Sequence, residues 1–204
     1  TGVNWGYFSD PEPAVDGRPM DAARGRGLGG SSALSGVVYV RGHARDFDEW
    51  ESLGATGWNY LSCLPYFQRA ESWMHGGDDY RGGDGPVGTS NGNNRKNPLY
   101  QAFINAGVEA GYGLTDDYNG YRQEGFGPMH MTVKGGVRSS TRRSYLEPVR
   151  SRSNLTVMTG AEVERIELEE GVAKRVVFKK AGAVKVVSTR REVVLSAGSI
   201  GSPS

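Results

Sequence analysis

The amino-acid sequence predicts a mixed α/β fold, and three stretches carry that prediction. Asn97 and Pro98, followed by Gly111, bracket a helix, because asparagine caps helix starts, proline suits the first helical position and glycine ends helices. From residue 154 onward, short apolar runs separated by single glycines predict one strand and then a small antiparallel meander. Residues 192–198 form an apolar run that ends in small residues, which is typical of a strand buried on both faces.

The stretch 24–36 is a glycine-rich loop that leads into an apolar run. Glycines let backbone N–H groups approach a ligand closely, and a helix that starts at Ser31 or Ser32 and covers residues 33–39 would direct its positive end at an anion. Residues 25–30 match the dinucleotide pattern G-x-G-x-x-G, but no β-branched apolar run precedes them. The loop is therefore predicted to be a second, supporting cofactor loop, with an ordinary glycine-rich turn as the alternative.

Four helices are predicted after this loop. Asp46 is expected to cap a short helix, and a second helix covers residues 61–71, with Pro65 tolerated only in its first turn. Residues 138–146 form a helix with a basic face, which either faces solvent or holds an anion. The helix that Asn97 caps is expected to bury one apolar stripe, which consists of Leu99, Phe103, Ala106 and Ala110.

Composition excludes several classes of protein. The formal net charge is +1, so no basic surface for nucleic acid is indicated. Cys63 is the single cysteine, which excludes an internal disulfide and fits a reducing compartment. No apolar run approaches the roughly 18 residues of a membrane helix, so no integral membrane segment is expected. The aspartates of the loop 72–96 lack the glutamate of a calcium-binding loop, and no metal site is predicted.

The order of the motifs resembles that of the glucose–methanol–choline (GMC) family of FAD-dependent oxidoreductases. The matching stretches together span nearly all of the 204 residues and lie at 24–32, 39–42, 57–58, 64–67, 119–120, 123–127, 138–141, 145–146, 154–157 and 196–203. Further matches, at 82–87, 97–99, 106–108, 110–112 and 115–117, resemble the choline-oxidising branch of the family. Ser35 departs from the pattern, because family members usually have asparagine there, at the reacting face of the flavin.

The resemblance implies an FAD/NAD(P)-binding fold of the GMC type, present in part. Residues 1–70 and 137–204 are expected to belong to the FAD-binding domain and residues 71–136 to the substrate-binding, or cap, domain. The expected FAD contacts are made mainly by backbone atoms. They are assigned to Gly29, Gly30 and Ser31 on the pyrophosphate and ribityl chain, Ser35, Gly36 and Val38 on the flavin, Val163 on the adenine edge, and Ala197 and Gly198 on the adenosine half.

The implied reaction is oxidation of a primary alcohol, in which a base takes the hydroxyl proton and the flavin takes a hydride. Choline is the expected substrate and betaine aldehyde the expected product, a step of glycine betaine synthesis, and the electron acceptor is left open. The alternatives are another GMC alcohol oxidase or dehydrogenase, an FAD-containing lyase, and an inactive fragment of such an enzyme.

No catalytic residue is predicted within the chain. In the family, the first G-x-G-x-x-G unit precedes the matched region and the catalytic histidine follows it, beyond the position of residue 204. His43, His75 and His130 lie outside that motif, and each is expected to be a loop or surface histidine. The isolated chain is therefore expected to purify without flavin absorbance. The whole protein is expected in the cytoplasm, with peripheral attachment to the inner membrane left open.

Overall fold

A computed structural model describes residues 2–92 and 96–203, and the chain divides into two compact units, Thr1–Val149 and Arg150–Ser204. Both units contain helical and extended segments, so the predicted mixed α/β class is confirmed. The assignment of 1–70 and 137–204 to a cofactor domain and of 71–136 to a substrate domain stays a prediction.

Among the described residues of the first unit, three segments form α-helices. α1 covers Ala44–Ser52, α2 covers Tyr60–Ala70 and α3 covers Pro98–Glu109. The side chain of Asn97 caps α3, and Gly111 follows its end with a left-handed φ of 89°. Both predicted ends of α3 are therefore confirmed.

The starts of α1 and α2 differ from the prediction in detail. His43, not Asp46, is the cap of α1: its Nδ1 accepts from the N–H of Arg45 at 3.1 Å. Asp46 completes a capping box from inside the helix by accepting from the N–H of His43 at 2.9 Å. Asn59 caps α2, which places Pro65 in the helix interior, beyond the first turn to which the prediction confined it.

The predicted buried stripe of α3 is wrong. Leu99 is 75% exposed and Phe103 is 68% exposed, whereas Ile104 and Gly107 are buried. A Cβ built on Gly107 would lie 2.4 Å from the ring of Phe126. The helix therefore turns its smallest residue inward, because only glycine admits the aromatic ring so close to the helix backbone.

The strands of the first unit are short. β1 (Glu71–Trp73) pairs in parallel with β2 (Val87–Thr89), and β3 (Val133–Lys134) pairs antiparallel with β4 (Val137–Arg138). Met131 forms single antiparallel bridges with two segments, at Val38 and Ser90. The strand expected at 129–133 is thus reduced to Val133 of β3 and the two single bridges of Met131.

The helix expected at 138–146 is shorter than predicted. Arg138 belongs to β4, and the helical part is a π-helical turn, Arg142–Leu146, followed by the 3₁₀ turn Glu147–Val149. Because Arg138 lies in a strand, the expected basic helix face reduces to Arg142 and Arg143.

The second unit contains the predicted antiparallel meander. β5 (Ala161–Glu169), β6 (Val172–Lys180) and β7 (Ala183–Ser188) pair in the order β5-β6-β7. Val177 and Phe178 of β6 are its buried apolar residues, at 1% and 4% exposure. The meander prediction is confirmed, but residues 154–158 do not form the strand expected before it.

The apolar run 192–198 is not the buried strand that the sequence predicts. Val194 is 77% exposed and Leu195 is 51% exposed, and the short helix α4 (Gly198–Gly201) begins at the end of the run. A strand buried on both faces needs a hydrogen-bonded neighbour, and within residues 2–92 and 96–203 no strand pairs with this run. In the same residues, no helix combines the length and the apolar character needed to cross a bilayer.

Candidate functional site

The glycine loop 24–36 folds back on itself. The N–H of Gly25 donates to Ser31 Oγ at 3.1 Å, and a Cβ on Gly25 would lie 2.1 Å from the carbonyl oxygen of Gly30. Gly27, Gly29 and Gly30 take left-handed φ values of 128°, 92° and 50°. Side chains at these positions would meet steric strain, so the glycines are required by the loop's own geometry.

A single 3₁₀ turn, Gly30–Ala33, replaces the helix predicted over residues 33–39. Val37 follows with a φ of 59°, which is unusual for a β-branched residue. Its carbonyl accepts from the N–H and Oγ1 of Thr132 at 2.7 and 3.2 Å, and the N–H of Tyr39 donates to the carbonyl of His130 at 2.8 Å. These bonds hold the segment extended and override any helical tendency.

Side chains from the region after β3 support the other end of the loop. Ser32 Oγ donates to the carbonyl of Gly29 at 2.5 Å and accepts from the N–H of Thr141 at 3.0 Å. Nη1 of Arg138 donates to the carbonyls of Ser35 and Ser32 at 2.6 and 3.2 Å. The loop is therefore fixed from both sides, by 130–132 and by 138–141.

Gly36 and Val38 have backbone N–H groups that no backbone carbonyl in the described part of the chain engages. A Cβ built on Gly36 would contact nothing within 4 Å, and Gly36 does not need a left-handed φ. Val38 is 50% exposed. Among the backbone hydrogen bonds of the described segments, none uses the N–H of either residue. Since no contact of the chain requires glycine at position 36, this position fits the close approach of a ligand such as a flavin ring.

A cavity of about 580 Å³ adjoins the loop. Arg142, in its wall, is paired with Glu147 at 2.8 Å, and Arg138 is engaged with the loop carbonyls described above. Of the arginines of the expected basic face, Arg138 therefore supports the loop, and Arg142 is neutralised by Glu147. The lining residues are Leu28, Ala33, Val137, Arg138, Ser140, Arg142, Arg143 and Glu147.

The remaining predicted contacts lie in the second unit. Val163 sits in β5, is 56% exposed and pairs with Phe178 of β6. Ala197 donates its N–H to Ser202 Oγ at 2.9 Å. Gly198 takes a φ of 90°, and a Cβ there would meet nothing within 4 Å. The FAD contacts assigned to all these residues stay predictions.

A ring of five residues lies behind the segment 37–41, and no local pattern in the sequence predicts it. We call it the buried ring, because four of its members are at most 6% exposed, while the Asp117 side chain is 27% exposed. Arg41 donates from its guanidinium group to Glu71 (2.7 Å) and from its backbone N–H to Asn119 Oδ1 (2.8 Å). The backbone N–H of Asn119 donates to Asp117 (2.8 Å). Arg81 donates to both Asp117 (2.8 Å) and Glu71 (2.6 Å), which closes the ring. Two guanidinium groups face two carboxylates, so the ring is charge-balanced, as a buried ionic cluster must be.

His130 lies in a loop, as the prediction allowed, but it is buried against this ring and not on the surface. Its side chain is fully buried, stacks on Tyr118 at 4.7 Å between ring centroids and contacts Trp73 at 4.6 Å. His130 Nδ1 lies 3.2 Å from Asn119 Nδ2 and 3.3 Å from Arg81 Nη1. Because Asn119 Oδ1 faces the N–H of Arg41, its amide nitrogen faces His130 Nδ1, which also lies 3.6 Å from Asp117 Oδ1.

The other two histidines lie where they were expected. His43 caps α1 at its start, and His75 is exposed, with Nε2 3.1 Å from Asn91 Nδ2. In the described segments, no group of three or more histidine, cysteine, aspartate or glutamate residues could hold a metal ion.

The protonation states around the ring follow from burial and charge. Burial raises the pKa of Tyr39 and the pKa of Tyr118, so both phenols stay protonated at neutral pH. Burial alone would lower the pKa of Arg81, but Glu71 and Asp117 outweigh it and raise that pKa above its usual value. Arg81 is therefore a permanent cation.

Comparison with known proteins identifies the family. The sequence profile described as GMC oxidoreductase matches residues 12–204. The chain belongs to the GMC oxidoreductase family. It is 58% identical over 200 residues to a protein of Photobacterium profundum, and 58% identical over 199 residues to one of Vibrio vulnificus, both named oxygen-dependent choline dehydrogenase. The matches cover 98% and 97% of this chain but 35% and 36% of those proteins, so the chain spans about a third of their length.

Solved structures agree with this family fold. The chain is 31% identical to pyridoxine 4-oxidase from Mesorbium loti, with a TM-score of 0.87 over 92% of this chain and 37% of that one. It is 27% identical to an FAD-dependent oxidoreductase from Chaetomium thermophilum, with a TM-score of 0.90 over 98% of this chain and 37% of that one. The GMC-type fold, present in part, is thereby confirmed.

Proposed function

We propose that the protein carrying this chain is an FAD-dependent oxidoreductase that oxidises choline to betaine aldehyde. The observation that carries the proposal is the doubly supported loop 29–38, in which the backbone N–H groups of Gly36 and Val38 donate no backbone hydrogen bond within the described part of the chain. The 58% identity to two proteins named choline dehydrogenase supports the choice of alcohol.

Bound FAD would supply the hydride acceptor for the alcohol. The residues of this chain would bind and orient it. Gly29, Gly30 and Ser31 would offer close backbone contacts to the pyrophosphate and ribityl chain, and Gly36 would allow the flavin ring to approach the backbone. Ser35, whose carbonyl is held by Arg138 at 2.6 Å, would fix the near edge of the ring. Residues 71–136 would contribute to the substrate side.

Val163, Ala197 and Gly198 would contact the adenosine half of FAD in this proposal. Their exposed positions in the second unit leave them accessible to a ligand. The base that accepts the alcohol proton is assigned to no residue of this chain. A reducing compartment suits the single Cys63, and we place the reaction in the cytoplasm.

The test uses the whole purified protein under anaerobic conditions. Choline is expected to abolish the absorbance of the oxidised flavin, whereas glycine betaine, which has no hydroxyl group to oxidise, should leave it unchanged. A protein that carries FAD but is not reduced by choline would exclude choline oxidation and favour another alcohol substrate or a lyase.

The electron acceptor is a separate question, and the names of the two relatives support oxygen. Transfer of two electrons and two protons to oxygen gives hydrogen peroxide. After reduction by choline, admission of oxygen is expected to restore the flavin absorbance with one peroxide formed per turnover. A flavin that stays reduced after oxygen is admitted, but is reoxidised once a quinone is added as acceptor, would indicate a different acceptor.

A further inference from the structure

The segment 39–41 continues directly from the backbone that we assign to the flavin. Asn119 binds this segment from behind at two points: its Nδ2 donates to the carbonyl of Tyr39 at 3.0 Å, and its Oδ1 accepts from the N–H of Arg41 at 2.8 Å. The side-chain amide therefore pairs with the backbone as a neighbouring strand would, with one donor and one acceptor in register.

Only asparagine can make this pair of bonds at this place. Asn119 is 1% exposed, so water cannot replace either bond if the side chain is shortened. Aspartate would keep an acceptor for Arg41 but would turn an oxygen toward the carbonyl of Tyr39. Glutamine is longer by a methylene group and would not fit the packed position without displacing the segment.

The loop that carries Asn119 is itself held firmly. The backbone N–H of Asn119 donates to the Asp117 carboxylate. Nη1 of Arg81 donates to both oxygens of the same carboxylate, each at 2.8 Å. Tyr118, the preceding residue, donates its hydroxyl to the same Tyr39 carbonyl at 3.0 Å. Displacing Asn119 therefore requires breaking bonds of the buried ring, which makes it a rigid support rather than an adaptable one.

We propose that Asn119 is a positioning residue that sets the distance between the backbone of residues 36–41 and the flavin. The proposal rests on the FAD-binding function proposed above. Asn119 does not touch the flavin in this proposal. It acts through the carbonyl of Tyr39 and the N–H of Arg41, and the fixed backbone at these residues holds Val38 and Gly36, which precede them in the same segment. Loss of these bonds lets the segment retreat, and the flavin loses contacts on that face.

The test compares Asn119→Asp with wild type in the whole protein, using the dissociation constant for FAD and the visible circular dichroism of the bound flavin. FAD binding is expected to weaken by roughly 5- to 150-fold, the usual range for coupling between linked sites, and the flavin dichroism is expected to change. Asn105→Asp is the matched control, because Asn105 lies on the exposed face of α3. Among the described residues, its side chain forms a hydrogen bond only with Gln101. It should leave both measurements unchanged.

A second control separates positioning from general loss of stability. Gly107→Ala is expected to lower the thermal midpoint through its clash with Phe126 while leaving the flavin dichroism as in wild type. If Asn119→Asp does not fold, Tyr118→Phe removes the hydroxyl that donates to the Tyr39 carbonyl and accepts from the N–H of His130. Since both bonds of Asn119 to the segment remain, it should give a smaller change in the same direction.

The outcomes distinguish the two proposals. Wild-type protein that binds no FAD would refute the proposed function and this inference together. Wild-type protein that binds FAD, combined with Asn119→Asp that binds it within twofold and shows the same dichroism, would refute the positioning role alone. The positioning role is also refuted if Gly107→Ala changes the flavin dichroism as much as Asn119→Asp does. If Asn119→Asp does not fold, the positioning role is refuted when Tyr118→Phe leaves both the FAD dissociation constant and the dichroism as in wild type.

Discussion

Replacing Glu71 with glutamine is expected to destabilise the first unit by about 3–5 kcal/mol, the usual cost of removing one partner from a buried ion pair. The Glu71 carboxylate is 0% exposed and accepts four side-chain hydrogen bonds: from Arg41, twice from Arg81, and from Thr89, at 2.6 to 3.0 Å. Glutamine keeps the shape but turns an N–H₂ group toward other donors. Two guanidinium groups would then face one carboxylate, that of Asp117.

Thermal unfolding of the whole protein measures this effect. For a cooperative unit of about 150–250 residues, each 1 kcal/mol lowers the midpoint by roughly 2–4 °C, so a fall of about 6–20 °C is expected. Glu147→Gln is the control, because Glu147 also pairs with an arginine, Arg142, at 2.8 Å, but in this pair the side chains are partly exposed to solvent, 37% for Glu147 and 49% for Arg142. Exposed pairs contribute about 0–1 kcal/mol. Equal midpoints for the two variants would refute the claim that the buried ring supports the fold.

Three further predictions concern packing, the cofactor loop and pH. Gly107→Ala should cost roughly 1–3 kcal/mol in a denaturant titration, because the added methyl overlaps the ring of Phe126; an unchanged midpoint would contradict the close packing. Gly36→Ala should leave stability unchanged, since nothing lies within 4 Å of the new methyl, but should weaken FAD binding measured by fluorescence; unchanged affinity would remove Gly36 from the site. Burial raises the pKa of Tyr118 and of Tyr39, so the stability they contribute is present below their unfolded pKa of about 10 and is lost as pH rises through the folded values. Tyr118→Phe should therefore show a shallower alkaline decline of the thermal midpoint than wild type, and an equal decline would refute the assignment.

Local signals predicted the parts of the fold that depend on neighbouring residues. The cap at Asn97 and the glycine after α3 need no distant contact, and they were predicted at the correct positions. The meander of the second unit follows from short alternating runs separated by turns. The buried face of α3 depends instead on Phe126, which lies beyond the helix in sequence, and periodicity alone selected the wrong face.

The glycine loop shows the same limit within the candidate site. Its glycines predicted a tight turn correctly, but the helix expected after it is prevented by bonds from Thr132 and His130, about 95 residues later in the chain. The buried ring was missed because its acidic and basic members are far apart in sequence. The one local signal was the turn at Asn119-Gly120, which indicates the turn but not the partners of its side chain.

The most direct test of the proposed oxidoreductase is anaerobic titration of the whole, FAD-loaded protein with choline, followed by its visible spectrum. We predict complete loss of the oxidised flavin absorbance with one choline consumed and one betaine aldehyde formed per flavin. An unchanged spectrum at saturating choline, in a protein shown to hold FAD, would contradict it.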